Sequence, residues 1–198
     1  MAKGVYQDAL THELPAALPL GRRSPRGHLR WYLAACPQGR EASTCQKVRQ
    51  IIPQDLLEDA FVPRIERAQK SGGQWKTLVK DLFRGYFIVA TKDAVQLSRA
   101  LERLSFPVQL AGVVGRGYAP IDKSAQEFLT SCMDKSHVIR SSEGEIVSDQ
   151  LHVLWGPLKG QESRVARVAR HKRLASVRVG DSESGFTLAM PLEIPVRR

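Results

Sequence analysis

Residues 156–179 read GPLKGQESRVARVARHKRLASVRV and combine seven Lys and Arg residues with a single Glu. Apolar and polar side chains alternate in LASVRV (174–179), which is typical of a half-buried strand. The glycines of GPLKG (156–160) allow a tight loop before it. The stretch therefore predicts strands of a small closed β-barrel, because closure removes exposed strand edges. An amphipathic helix over VARVARHKRLA (165–175) is the alternative, since Ala and Arg are good helix formers.

In the barrel interpretation the valines and alanines point inward and the basic side chains stay outside. The outward set is Lys159, Arg164, Arg167, Arg170, Lys172 and Arg173, and the candidate RNA-binding face consists of these six together with His171. Arg and Lys pair with phosphates, and Arg also stacks on unpaired bases. We therefore predict that this face binds nascent RNA. The competing interpretation is a solvated basic surface with only salt-sensitive, unspecific attraction for polyanions.

The composition supports a partner that carries phosphates. The chain has 198 residues, a net charge of +10 and an apolar fraction of 42%, which is enough for a packed core. No apolar run approaches the length of a membrane span, and no signal-peptide pattern is present, so we expect a cytoplasmic protein. The three cysteines have no C-x-x-C spacing, which argues against disulfides and zinc.

The rest of the chain predicts an α+β protein of two domains. Residues 1–29, with three prolines, predict a disordered basic extension. Strand and helix signals then follow in the order β-α-β-β-α-β-α, which predicts an antiparallel sheet with three helices over 30–134. The predicted helices are 40–52, 93–104 and 123–133, and SGG (71–73) predicts a hairpin turn. Residues 135–145 predict a flexible linker, and 146–198 predict the barrel.

Two groups of motifs carry a resemblance to a known family. The arrangement of a strand, the loop GPLKG and a second strand is similar to the KOW motif of transcription factors and ribosomal proteins. The first half resembles the NGN domain of NusG-family transcription elongation factors. The matching segments are RWY (30–32), GRE (39–41), FVPRIERAQK (61–70), LFRGYFIVAT (82–91) and VVGRGYAPIDKSAQEFL (113–129). Within that family, GPLKGQE followed by RHKR looks most like the LoaP subgroup of specialised antiterminators.

This resemblance implies an NGN-type sheet, a flexible linker and an SH3-like KOW barrel. It implies a monomer that binds bacterial RNA polymerase at the β′ clamp helices, reaches toward the β subunit, and suppresses pausing and termination on selected long operons. A hairpin in leader RNA is a fitting ligand for such a factor. The positions matching the apolar polymerase patch are Tyr32, Leu82, Phe83 and Tyr86. The residues alone favour a core position for Phe83 and Tyr86.

The sequence also departs from the family pattern at two places. Arg84 replaces the proline of the family's L-F-P-G-Y loop. The loop GDSESG (180–185) is acidic and has no aromatic residue, where general members carry an aromatic loop that binds a ribosomal protein or Rho. Contact with the ribosome or Rho is therefore in doubt.

Other functions have weaker support in the sequence. A ribosome-associated KOW protein that binds RNA is the first alternative, and the second is a fold-switching paralog whose C-terminal domain masks the polymerase patch. The histidines are scattered and no G-x-S-x-G elbow is present, so we expect no catalysis, metal or cofactor. We expect Trp75 and Trp155 in the core or in hairpins, although either could stack on a base.

Overall fold

The computed structural model describes residues 28–113, 117–180 and 186–195. Most of the predicted extension 1–29 and of the acidic loop 180–185 lies outside these ranges. The helices are α1 (Glu41–Ile51), α2 (Ala94–Leu101) and α3 (Lys123–Cys132). They lie within the three predicted helical segments, and none is long and apolar enough to cross a bilayer within the described ranges.

The strands of the described residues fall into four sheets. Strands of the first half are β1 (Arg30–Ala35), β2 (Asp59–Phe61), β3 (Arg64–Ser71), β4 (Gln74–Asp81), β5 (Tyr86–Thr91), β6 (Gln109–Leu110), β7 (Gly112–Val113) and β8 (Gly117–Tyr118). Strands of the second half are β9 (Val138–Ile139), β10 (Ser142–Val147), β11 (Gln150–Trp155), β12 (Val165–Ala169), β13 (Leu174–Val179) and β14 (Phe186–Glu193). The molecule is thus a mixed α and β protein.

The first compact unit comprises the described residues up to Val62 together with those of the range Phe83–Lys123. Its main sheet has the order β2-β5-β1-β6, and every residue of the central strand β5 is buried. Aliphatic and aromatic side chains from this sheet, α1 and α2 form one core that includes Val48, Phe87 and Leu97. Helix α2 begins at Asp93, whose carboxylate accepts hydrogen bonds from the backbone N–H groups of residues 95 and 96 at 3.1 and 3.0 Å.

The second unit comprises Pro63–Leu82 and the described residues from Ser124 onward. The hairpin of β3 and β4 turns at Gly72 and Gly73, both with positive φ, as SGG predicts. Strand β3 pairs in parallel with β9, so the hairpin is not part of the sheet that contains β1. The single antiparallel sheet predicted over 30–134 is therefore divided between two units. Sequence periodicity identifies strands but does not select their partners.

Residues 135–145, for which the sequence predicts a linker, contain β9 and the first part of β10. Polar contacts order this segment in place of a regular apolar pattern. Asp134 accepts hydrogen bonds from the backbone N–H groups of Ser136 and Val138, and Arg140 forms ion pairs with Asp134 and Glu66. Val138 and Ile139 are also buried, but two adjacent apolar residues make no alternating pattern, which explains why periodicity did not indicate strands here.

The C-terminal strands form one sheet of order β11-β10-β14-β13-β12. The helix alternative for 165–175 is wrong, because this segment contains β12, a short 3-10 turn and the start of β13. Ala175, Val177 and Val179 are fully buried along β13, as the alternation predicts. Among the described residues no ladder joins β11 to β12, so barrel closure stays a prediction.

Candidate nucleic-acid interface

Five of the seven basic residues predicted to bind RNA are exposed side chains of the second unit. This group, called the basic surface below, consists of Lys159, Arg167, Arg170, His171 and Lys172. Arg167 belongs to the edge strand β12, and the last three form the 3-10 turn at the tip of the β12–β13 hairpin. No ion pair to any of the five occurs within the described ranges. These side chains are therefore available to a polyanion.

The tip that carries three of these basic side chains has a fixed backbone. Strands β12 and β13 pair up to Ala169 and Leu174, and the N–H of Arg173 donates to the carbonyl of Arg170 at 3.0 Å. Arg173 adopts a left-handed conformation with φ of 52°, and its carbonyl accepts a 3.1 Å bond from the N–H of Leu192 in β14. The strands thus hold the turn in one orientation, which reduces the ordering cost of binding.

The GPLKG loop fixes the position of Lys159. Gly156 has φ of 98°, and a Cβ there would lie 2.6 Å from the Cα of Ser142, so only glycine fits. Leu158 is fully buried, and its N–H donates to the hydroxyl of Ser142 at 3.1 Å. This anchored turn leaves the neighbouring Lys159 side chain in solvent.

Arg164 and Arg173 differ from the basic surface because their side chains are already engaged within the protein. The guanidinium of Arg164 lies over the ring of Phe128, 5.4 Å from its centroid, and its Nε donates to Gln161. Arg173 lies over the ring of Trp75 at 4.5 Å and forms a 3.1 Å ion pair with Glu193. These two arginines organise the surface and are less available as phosphate ligands.

The residues predicted to contact RNA polymerase are mostly buried. Tyr32, Phe83 and Tyr86 have exposed fractions of only 8, 6 and 3%. Burial also raises the pKa of the Tyr32 and Tyr86 hydroxyls above the usual value for tyrosine. Leu82 is half-buried and belongs to the other unit. The aromatic rings would have to become accessible to act as anchors, and the polymerase role of this set stays a prediction.

The turn that contains Phe83 is joined to α1 by a buried carboxylate. Glu41, which is 3% exposed, accepts a hydrogen bond of 2.6 Å from the N–H of Gly85. The carbonyl of Gly85 accepts a 2.9 Å bond from the N–H of Cys36. Arg84, which stands where the resembled family has a proline, is exposed beside this point. Hydrogen bonds therefore supply the order that a proline would otherwise give the turn.

Two exposed residues outside the predicted set lie beside the basic surface. Trp75 is 39% exposed, so it is not a core residue, and Lys70 is its direct partner across the β3–β4 hairpin. The hairpin signal places Trp75 next to the SGG turn, but the contact with Arg173 joins segments almost one hundred residues apart. Local sequence patterns do not contain that information.

The described residues contain no grouping of three or more His, Cys, Asp or Glu side chains suited to a metal ion. The exposed Lys, Arg, His and Trp side chains of this surface offer charge pairing, hydrogen bonding and stacking.

Comparisons with known proteins find similarity among solved structures. No protein-family model matches the chain, and no curated protein matches it. A solved structure, described as "Domain interaction in Thermotoga maritima NusG", is similar with a TM-score of 0.44 and 12% sequence identity. The similarity covers 83% of this chain and 94% of that one.

Proposed function

We propose that the protein is a transcription elongation and antitermination factor of the NusG type, most like the LoaP subgroup. It binds bacterial RNA polymerase through its first half and nascent RNA through the basic surface, and it acts by binding without covalent chemistry. The observation that carries the RNA part is the ordered β12–β13 tip, which holds three exposed basic side chains in consecutive positions. A leader hairpin with unpaired nucleotides is the RNA class that suits such a tip.

The polymerase part rests on the resemblance of the segments around Tyr32 and 82–91 to the family's docking region. In this proposal the turn at 82–86 contacts the clamp helices of the β′ subunit, with Leu82 and Arg84 accessible first. The positively charged Arg84 favours an acidic partner surface. If the turn opens, the buried rings of Phe83 and Tyr86 become accessible and contact the partner as well. Antitermination on selected long operons, by a monomer in the cytoplasm, is the activity we assign to this combination.

Co-elution of the purified full chain with bacterial core RNA polymerase tests the proposal. The informative variant is Leu82→Ser/Arg84→Ser, because these side chains are partly or fully accessible and their loss leaves the buried rings in place. Val95→Ser/Arg99→Ser, on the exposed side of α2, also removes one apolar side chain and one positive charge and is the matched control. We expect the wild type and the control to co-elute with polymerase and the 82/84 variant to be lost from the complex.

A protein that retains RNA but does not bind polymerase would contradict this proposal. That result would support the ribosome-associated KOW alternative instead. Circular dichroism of each variant establishes that lost binding does not reflect lost folding.

A further inference from the structure

The exposed indole of Trp75 and the guanidinium of Arg173 form a stacked pair at the surface of the second unit. The guanidinium carbon lies 4.5 Å from the ring centroid, which is a cation–π contact. The pair joins the β3–β4 hairpin to the turn that precedes β13, and both segments belong to the same unit. Trp75 still keeps 39% of its surface in solvent although Arg173 covers part of the ring.

Arg173 is held from three directions, so the pair is organised before any ligand arrives. Its backbone N–H donates to Arg170, its carbonyl accepts from Leu192, and its guanidinium is 3.1 Å from the carboxylate of Glu193. The ion pair with Glu193 offsets the charge of Arg173. Arg173 therefore serves as a fixed support behind the indole, and phosphate pairing falls to its neighbours.

Positive charge flanks the indole on both segments. Lys70 lies directly across the hairpin from Trp75, and directly opposed residues on antiparallel strands share one face of the ladder. On the other segment, Arg170 and Lys172 lie just before Arg173 and are exposed. The acidic residues of the hairpin, Glu66 and Asp81, lie toward its opposite end. An aromatic face between cations is the arrangement that binds single-stranded nucleic acid.

We propose that Trp75 is a stacking platform for one unpaired nucleobase, with Lys70, Arg170 and Lys172 pairing with the phosphates that flank it. This inference rests on the proposed RNA-binding function and specifies its ligand. A base within a duplex is stacked on both faces, so only an unpaired base can lie on the indole. The ligand class is therefore an unpaired stretch of nucleic acid, such as the loop of a hairpin, rather than a helix stem.

Fluorescence anisotropy with the full chain tests the platform. The probes are a labelled 12-nucleotide RNA without self-complementarity, DNA of the same sequence, and a 12-base-pair RNA duplex. We expect Trp75→Ala to weaken binding of the unpaired RNA about tenfold or more, since one stacked base contributes that much. Trp75→Tyr should restore most of the affinity, because a tyrosine ring also stacks. Duplex binding should change less than twofold. Tighter binding of RNA than of DNA identifies the transcript as the source of the base.

The same probes separate the possible failures. If the wild type binds the unpaired RNA and Arg170→Ala/Lys172→Ala weakens it, but Trp75→Ala does not, the platform is refuted and the proposed function stands. If Trp75→Ala weakens unpaired and duplex probes equally, Trp75 only holds Arg173 in place and the platform is again refuted. If the wild type binds no unpaired RNA at all, both the platform and the RNA-binding function fail.

Discussion

The buried carboxylate of Glu41 accepts a 2.6 Å hydrogen bond from the backbone N–H of Gly85, a residue 44 positions later in the chain. Replacing Glu41 with Ala leaves that N–H buried without its charged partner. We expect the free energy of unfolding to fall by about 1.5–3 kcal/mol, measured by urea denaturation. Asp55→Ala, at an exposed turn, is the control and should have little effect. Equal stability of the Glu41 variant and the wild type would show that the bond contributes nothing.

Gly156 and Gly160 form a natural pair for testing the GPLKG loop. Both have positive φ, but a Cβ at Gly156 would meet Ser142 at 2.6 Å, whereas a Cβ at Gly160 would meet nothing within 4 Å. Gly160→Ala should therefore cost about 1 kcal/mol from backbone conformation alone. Gly156→Ala should cost about 1–3 kcal/mol more because the steric clash adds to the same penalty. Similar midpoints in urea for the two variants would contradict the close approach.

The basic surface should give RNA binding a steep dependence on salt. We expect Arg170→Ala/Lys172→Ala to weaken binding of unpaired RNA, and to reduce the slope of log K against log salt by about 1.4, from 0.7 per lost phosphate contact. Arg173 is kept in this variant because it supports Trp75. Arg99→Ala/Arg103→Ala removes the same charge from another region and should leave the slope nearly unchanged. Identical slopes for both variants would indicate unspecific attraction by net charge alone.

All three cysteines should be unreactive in the folded protein. Cys36, Cys45 and Cys132 are buried. Burial raises the pKa of the Cys45 and Cys132 thiols to about 11, so few thiolates form at pH 8. We expect a chromogenic disulfide reagent to label no cysteine rapidly at pH 8 and to label all three after addition of guanidinium. Rapid labelling of the native protein would show that one of these thiols is accessible.

The contribution of Asp134 to stability should depend on pH. Hydrogen bonds from the N–H of Val138 and from Arg140 lower the pKa of this carboxyl below its ordinary value. A lowered folded pKa means that the contribution is complete above the ordinary carboxyl pKa and is lost as pH falls through the folded value. Asp134→Asn should therefore be less stable than the wild type at pH 7, and the two should converge in acid. A constant difference in urea midpoint across this range would contradict the assignment.

The sequence predicted local elements well and their partners poorly. Asp93, followed by apolar residues three and four positions apart, identified α2, and SGG identified the hairpin turn. Both signals are local, because helix caps and turns depend on neighbouring residues. The parallel pairing of Arg64 with Val138 depends on residues far apart in the chain, and periodicity contains no record of it. The strand β10 was missed for a related reason, since its segment is ordered by Asp134, Arg140 and Glu66 rather than by apolar alternation.

The candidate site was predictable to a similar degree. A cluster of Arg and Lys between valines indicates an exposed basic face, and five of the seven side chains are exposed as expected. The engagement of Arg164 by Phe128 and of Arg173 by Trp75 requires tertiary packing. The burial of Phe83 and Tyr86 agrees with what the residues alone favour, while the resemblance favoured exposure.

The pairing of the β3–β4 hairpin with later strands has a consequence for how the protein folds during its synthesis. Arg67 donates a 2.7 Å hydrogen bond to the carbonyl of Ala189, 122 residues further along the chain. The hairpin therefore leaves the ribosome before β9 and β14 have been synthesised. The side chains of Leu78 and Val79, which are exposed even in the folded protein, face solvent throughout this time. The second unit can reach its final form only after β14 emerges, and until then a nascent chain depends on the lysines of β4 to discourage edge-to-edge association.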